Sequence, residues 1–121
     1  MREARLTSRD RKLIDLLVET GMNRNLARTL VCISKAEEIS SVLIERHTGL
    51  RQPEVSLAMQ DLRRRGWVSK KDKRKEGKGR PIHLYKLSQS WSDIVDHVSG
   101  EQRQKIQGIE ENIKRLRSYS E

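Results

Sequence analysis

The chain of 121 residues has no phenylalanine, and Trp67, Trp91, Tyr85 and Tyr119 are its only aromatic residues. Recognition of single-stranded RNA by base stacking needs several exposed rings, and a domain of this size draws most of these four into its core, so that class is disfavoured. Cys32 is the sole cysteine, which excludes an internal disulfide and a multi-thiolate metal site. Its neighbours Val31 and Ile33 predict a small buried side chain rather than a redox sensor. No stretch approaches the roughly eighteen apolar residues of a membrane span, and the opening MREARLTSRDRK lacks the apolar run of a signal peptide. A cytoplasmic, nucleoid-associated protein without membrane contact is expected. His47, His83 and His97 stand far apart without ligand spacing to other donors, so neither a metal nor a cofactor is expected, and His47 is read as part of the core edge. A Gly-rich phosphate loop, a nucleophile elbow and a catalytic carboxylate pair are all missing, which argues against an enzyme. The chain is also too short for a core plus a ligand-sensing domain, and no small-molecule effector is evident.

What the chain has is concentrated positive charge. From Arg63 to Arg80, RRRGWVSKKDKRKEGKGR holds ten Lys or Arg against Asp72 and Glu76, a net +8 of the whole chain's +9. Charge gathered in one short segment forms a local footprint for a polyanion, whereas scattered charge mainly affects solubility. Nucleic acid is the first hypothesis, and a solvated basic loop without a partner is its rival.

Periodicity places that segment. Leu13, Ile14, Leu16, Leu17 and Val18 follow the potential caps Thr7 and Ser8 and precede Gly21, which predicts a helix over 8–20. Asn23 caps a second helix carrying Leu26, Ala27, Leu30, Val31 and Ile33, to about Lys35. A short third helix starts at Ser40-Ser41, turns Leu43, Ile44 and His47 inward, and closes at Gly49. Gln52-Pro53-Glu54 opens a fourth with proline in its first turn, and Val55, Ala58, Met59 and Leu62 form its buried stripe up to Gly66. The period then changes: Trp67-Val68-Ser69 and Ile82–Leu87 read as two strands around the basic, glycine-bearing loop 70–81, with Ile82, Leu84 and Lys86 on one face of the second strand and His83, Tyr85 and Leu87 on the other. Helix resumes at Ser90 with Trp91, Ile94, Val95 and Val98 on one side. A re-start is expected at Ser99-Gly100-Glu101-Gln102, where Ser and Gln have capping-box spacing. Beyond it, Ile106, Ile109, Ile113 and Leu116 follow the 3-4-3 rhythm of a helix that pairs with another.

This order, mainly α with a two-stranded β-wing and with N- and C-terminal helices, is that of a winged helix-turn-helix. The run ISSVLIERHTGLRQPEVSLAMQDLRRRGWVSKK (39–71) resembles the core of the MarR- and TrmB-like winged-helix regulators of archaea and bacteria, in which a Gly-Leu turn leads to a recognition helix ending in Leu-x-x-x-Gly before the wing. MNRNLARTLVCISK (22–35) is similar to the first helix of the TrmB-like group, and KGRPIHLYKL (78–87) to a returning wing strand. The likeness covers residues 22–88. It implies a DNA-binding domain there, an N-terminal helix (1–21) available to a dimer interface, and a C-terminal helical dimerisation segment (89–121).

With Val55, Met59 and Leu62 inward, the fourth helix turns Gln52, Pro53, Ser56, Leu57 and Gln60 outward. Gln pairs bidentately with adenine, and Leu suits a thymine methyl. Arg51 at the helix start, and Arg63, Arg64 and Arg65 near its end, are suited to phosphates. In the wing, Gly77 and Gly79 permit a tight turn while Lys73, Arg74, Lys75, Lys78 and Arg80 line it. Gly79-Arg80-Pro81 resembles the centre of AT-hook peptides, in which Arg enters a narrow A·T minor groove; shaping the turn into the second strand is its other reading. Ile106, Ile109, Ile113 and Leu116 are expected to pack on a second copy of the chain, flanked by Lys105 and Glu110, with packing on the 8–20 helix as the alternative. The expected function is homodimeric, sequence-specific binding of double-stranded DNA that regulates transcription, repression before activation. Non-specific architectural DNA binding and a protein-interaction module are the competing readings.

Overall fold

The computed structural model describes residues 6–73 and 82–120. The chain divides into two compact units, Met1–Ser90 and Trp91–Glu121. Within the first, the elements run α1 (Ser8–Glu19), α2 (Arg24–Ser34), β1 (Ile39–Ser40), α3 (Ser41–Thr48), α4 (Gln52–Arg64), β2 (Val68–Lys73) and β3 (Ile82–Leu87).

Each helix begins where a side chain satisfies free backbone donors. Thr7 and Asp10 form a reciprocal capping box on α1: the Asp10 amide donates to Thr7 Oγ1 at 3.2 Å, and the Thr7 amide to Asp10 Oδ2 at 2.8 Å. Asp10 also takes the Lys35 ammonium from just beyond α2, which fastens the start of α1 to the end of α2. Burial works against its ionisation, yet Lys35 and Thr7 outweigh that and hold its carboxyl below the usual carboxylate value. Asn23 Oδ1 accepts the amides of Asn25 and Leu26 and starts α2.

The core is built around α2, which packs against α1, α3, α4 and β3. Leu26, Ala27, Leu30, Val31, Cys32 and Ile33 are therefore buried over a wide arc of the helix, wider than one amphipathic stripe. Thr29 is buried with them, and its hydroxyl donates to the Asn25 carbonyl at 2.8 Å, which removes the penalty of an unpaired polar group. Burial pushes the Cys32 thiol up to about 11, so it packs as a small apolar side chain, as the sequence predicts. In α3, Ile44 and Thr48 are the buried residues, while Leu43 and His47 are half-buried. Gly49 ends α3 in the left-handed region at φ 76°, and the Thr48 hydroxyl donates to the Ile44 carbonyl while accepting the Leu50 amide, fixing the turn into α4.

The sheet has three strands in the order β1-β3-β2, all antiparallel, where the sequence predicts two. The added strand, Ile39-Ser40, pairs with Tyr85 and Leu84; two residues are too few to show a period of two. β2 also runs from Val68 to Lys73, four residues into the segment read as loop. Residues 70–73 are all exposed and charged, so alternation cannot reveal them; their strand conformation comes from backbone pairing with 82–85. In β3 the inward face is His83, Tyr85 and Leu87, with Tyr85 buried. Trp67, wholly buried, sits where α4 turns into β2.

The second unit is one helix, α5 (Trp91–Ser118). The re-start expected at Ser99–Gln102 does not occur. A glycine inside a helix costs about 1 kcal/mol relative to alanine, too little to stop one that continues into the good helix formers Glu101, Gln102, Arg103 and Gln104, and His97 and Glu101 pair across Gly100 at 3.7 Å, one turn apart. Ile94 and Val98 are buried, and the helix is exposed from Arg103 onward. Among the described residues no helix is long and apolar enough to cross a membrane.

Candidate nucleic-acid interface

The start of α4 is fixed by Glu54, whose carboxylate accepts the Arg51 amide at 2.8 Å and is approached by the Asn25 side-chain amide from α2. Pro53 stands in the first turn, where a missing amide removes no helical bond. Val55, Ala58, Met59 and Leu62 are buried as predicted, so the other side of the helix is presented to solvent. Arg51, Gln52, Pro53 and Gln60 are exposed there, Leu57 is 67% exposed, and Ser56 is half-buried. An isolated leucine this exposed is ordinary; beside two glutamines on a rigid helix it forms a surface that can approach base edges.

At the C-terminal end of α4 the three arginines separate by partner. Asp61 Oδ1 accepts from Arg64 at 2.8 Å and from Arg65 at 3.0 Å, and the Arg65 guanidinium also lies over the Trp67 ring, 5.0 Å from its centroid. Arg63 makes no ion pair among the described residues and lies one helical face along from Gln52, Ser56 and Gln60. Those four border a groove of about 230 Å³ that runs from α3 and α4 to the base of the wing, where Lys70, His83 and Tyr85 close it. Neither Lys70 nor His83 is among the residues that the sequence assigns to DNA. The signal for Arg63 was present, since 52, 56, 60 and 63 repeat at helical spacing, but the positions of Lys70 and His83 depend on a strand register that the charged residues conceal.

His83 faces Asp72 across the β2–β3 ladder, Nδ1 to Oδ1 at 2.7 Å, and this hydrogen bond holds the Asp72 carboxyl below its usual value. Lys71 pairs with Glu38 at 3.3 Å, whereas Lys70 and Lys73 have no carboxylate partner among the described residues. β2 thus carries two ammonium groups that make no ion pair among the described residues, Lys70 at the base of the wing and Lys73 at its outer end. Of the wing residues singled out in the sequence, Lys73 is exposed at the outer end of β2 opposite Ile82; Arg74, Lys75, Lys78 and Arg80, with Gly77 and Gly79, lie outside the described residues. Gly66 joins α4 to β2 at φ 79°, and its carbonyl accepts from the Ser88 hydroxyl at 2.8 Å and the Gln89 side-chain amide at 3.0 Å, tying the exit of β3 to the end of α4.

On α5, Ile106, Ile109, Ile113 and Leu116 are 56%, 59%, 44% and 72% exposed. Among the described residues no group of three or more His, Cys, Asp or Glu could hold a metal ion.

No protein-family model matches the sequence, and no curated protein is significantly similar to it. Solved structures do match. The transcriptional regulator PA4135 is similar with a TM-score of 0.51 and 17% identity, over 91% of this chain and 86% of that one. NadR, solved in complex with 4-hydroxyphenylacetate, has a TM-score of 0.52 and 13% identity, over 93% of this chain and 76% of that one. Among the described residues, five helices with a small three-stranded antiparallel sheet, superposable on these chains over most of their length, are the winged-helix fold that the sequence predicts.

Proposed function

We propose that this protein is a sequence-specific double-stranded-DNA-binding regulator of transcription, acting as a homodimeric repressor. One observation carries the proposal: a well-capped helix in a winged-helix frame exposes Gln52, Pro53, Leu57 and Gln60 and is bordered by Arg63 and Lys70, cations without an ion-pair partner among the described residues. Amide side chains read base edges, and flanking cations hold the helix on the phosphates. The basic segment 63–80 extends the same footprint, and the fold shared with a transcriptional regulator supports the reading.

A single winged helix covers only a few base pairs, so specificity calls for two copies about one helical turn apart. The exposed isoleucines and leucine of α5, at pairing rhythm, supply a surface for the second copy. Residues 22–88 then form the DNA-binding part, 89–121 the dimerisation segment, and 1–21 a helix available to that interface. Occupancy of a promoter blocks polymerase without further machinery, which favours repression. The protein acts in the cytoplasm on the nucleoid and needs no catalysis. Selection from a random duplex library tests the reading: it should return a sequence with two related half-sites about one turn apart. A library that stays unenriched, with binding to any duplex, identifies an architectural protein instead, and no binding at low salt identifies a protein-interaction module.

A further inference from the structure

A second and larger concavity, about 660 Å³, lies within the first unit between α1, the first turns of α2 and the last turn of α3. It contains none of the residues of α4 or the wing. Arg11 comes to it from α1, Arg24 and Arg28 from α2, and Arg46 and His47 from α3, over an apolar floor at Ile14. Asp15 is the only carboxylate among its described lining residues, and it is occupied by Arg24 at 2.9 Å. Arg11, Arg28 and Arg46 make no ion pair among the described residues. Guanidinium groups stay charged at any working pH, so three helices converge like charges on one hollow whose described lining supplies no free counter-charge. The volume lies within the roughly 300–1,000 Å³ range of small-ligand sites, and the planar donor fork of arginine matches the oxygens of a phosphate two at a time.

We propose that this cleft is a phosphate-binding site. Its ligand is a phosphate-bearing anion held by Arg11, Arg28 and Arg46, with His47 as a further donor. The same chemistry is offered by a free polyphosphate and by the backbone of a duplex, and two measurements separate these sources. In the first, inorganic pyrophosphate is titrated calorimetrically into the full chain at low salt. The wild type should bind it saturably, and Arg28→Gln with Arg46→Gln should weaken binding at least about tenfold, the loss expected of two charge-assisted contacts. Arg9→Gln with Lys12→Gln removes the same charge from exposed α1 positions outside the cleft and should change affinity less than about twofold. No saturable binding by wild type, or an equal loss in the control variant, overturns the proposal. Unchanged thermal melting of both variants shows that folding is not what was lost.

The second measurement follows duplex binding, and it alone rests on the DNA-binding reading. If the cleft holds the backbone, pyrophosphate competes with duplex and the cleft variant lowers the salt slope by about 1.8, two contacts at about 0.9 each. If it holds a free anion, the cleft variant binds duplex like wild type when pyrophosphate is absent. The pyrophosphate titration uses no duplex, so failure of the site and failure of the DNA-binding reading are seen separately.

Discussion

Asp61 restrains positive charge at the end of α4, and on the proposed DNA-binding reading its removal should tighten duplex binding. Its carboxylate takes Arg64 at 2.8 Å and Arg65 at 3.0 Å. In Asp61→Asn, Arg65 keeps its place on the Trp67 ring, whereas the Arg64 side chain, 73% exposed, has no other ion-pair partner among the described residues and is released. Exposed ion pairs contribute about 0.2–1 kcal/mol each; the Arg64 pair is of that kind and the Arg65 pair is half-buried with its guanidinium still held on Trp67, so the loss of folding stability should stay at about 2 kcal/mol or below. If the released Arg64 reaches one further phosphate, the salt slope rises by about 0.9, which amounts to about eightfold tighter binding near 0.1 M salt and parity near 1 M. Fluorescence anisotropy of a labelled duplex, titrated across that salt range, reads both quantities. Weaker binding, or a slope equal to that of wild type, would refute the placement of the end of α4 against the phosphates.

Three further outcomes are expected. Gly66→Ala should destabilise the fold by about 1–2 kcal/mol, because φ is 79° and an L side chain is strained there; the added Cβ stands an ordinary 3.7 Å from Gln89 Nε2, so the loss comes from the backbone, and Gly66→Asn should recover part of it in denaturant melts. The Asp10 carboxyl is lower in the folded chain than its usual 3.8, so its stabilisation is fully present above that value and lost as pH falls through the folded one. Asp10→Asn should therefore be less stable than wild type at neutral pH and converge with it in acid, and a constant difference across pH would contradict the Lys35 pairing. Ile109→Glu with Ile113→Glu should give a folded monomer by sedimentation equilibrium that retains salt-sensitive duplex binding but loses preference for a two-half-site operator.

The helices of the first unit were legible because their signals are local. Asn23, Ser40 and Gly49 cap or close them where the sequence places them, and the stripe Val55, Ala58, Met59, Leu62 is buried residue for residue. The sheet was legible only where it is apolar. Ile39-Ser40 is too short to carry a period, and Lys70–Lys73 form strand through pairing that their side chains do not advertise. Gly100 misled for the opposite reason, a local break signal that the helix formers following it outweigh. At the site, the outward face of α4 could be read from the inward one. The sharing of Asp61 between Arg64 and Arg65 was latent in their i+3 and i+4 spacing. The arginine cleft had no signal at all, because Arg11, Arg28 and Arg46 meet only when three helices pack.

The central claim is that Gln52 and Gln60 read bases while the cations around them hold phosphates. Its most direct test is the affinity of wild type, Gln52→Ala and Gln60→Ala for a selected site and for each of its single-base-pair variants, at one fixed salt concentration. Each substitution should abolish discrimination at its own base pair, by about 1–3 kcal/mol, and leave the affinity for random duplex unchanged. A uniform loss across all sequences would contradict base reading by this face of α4.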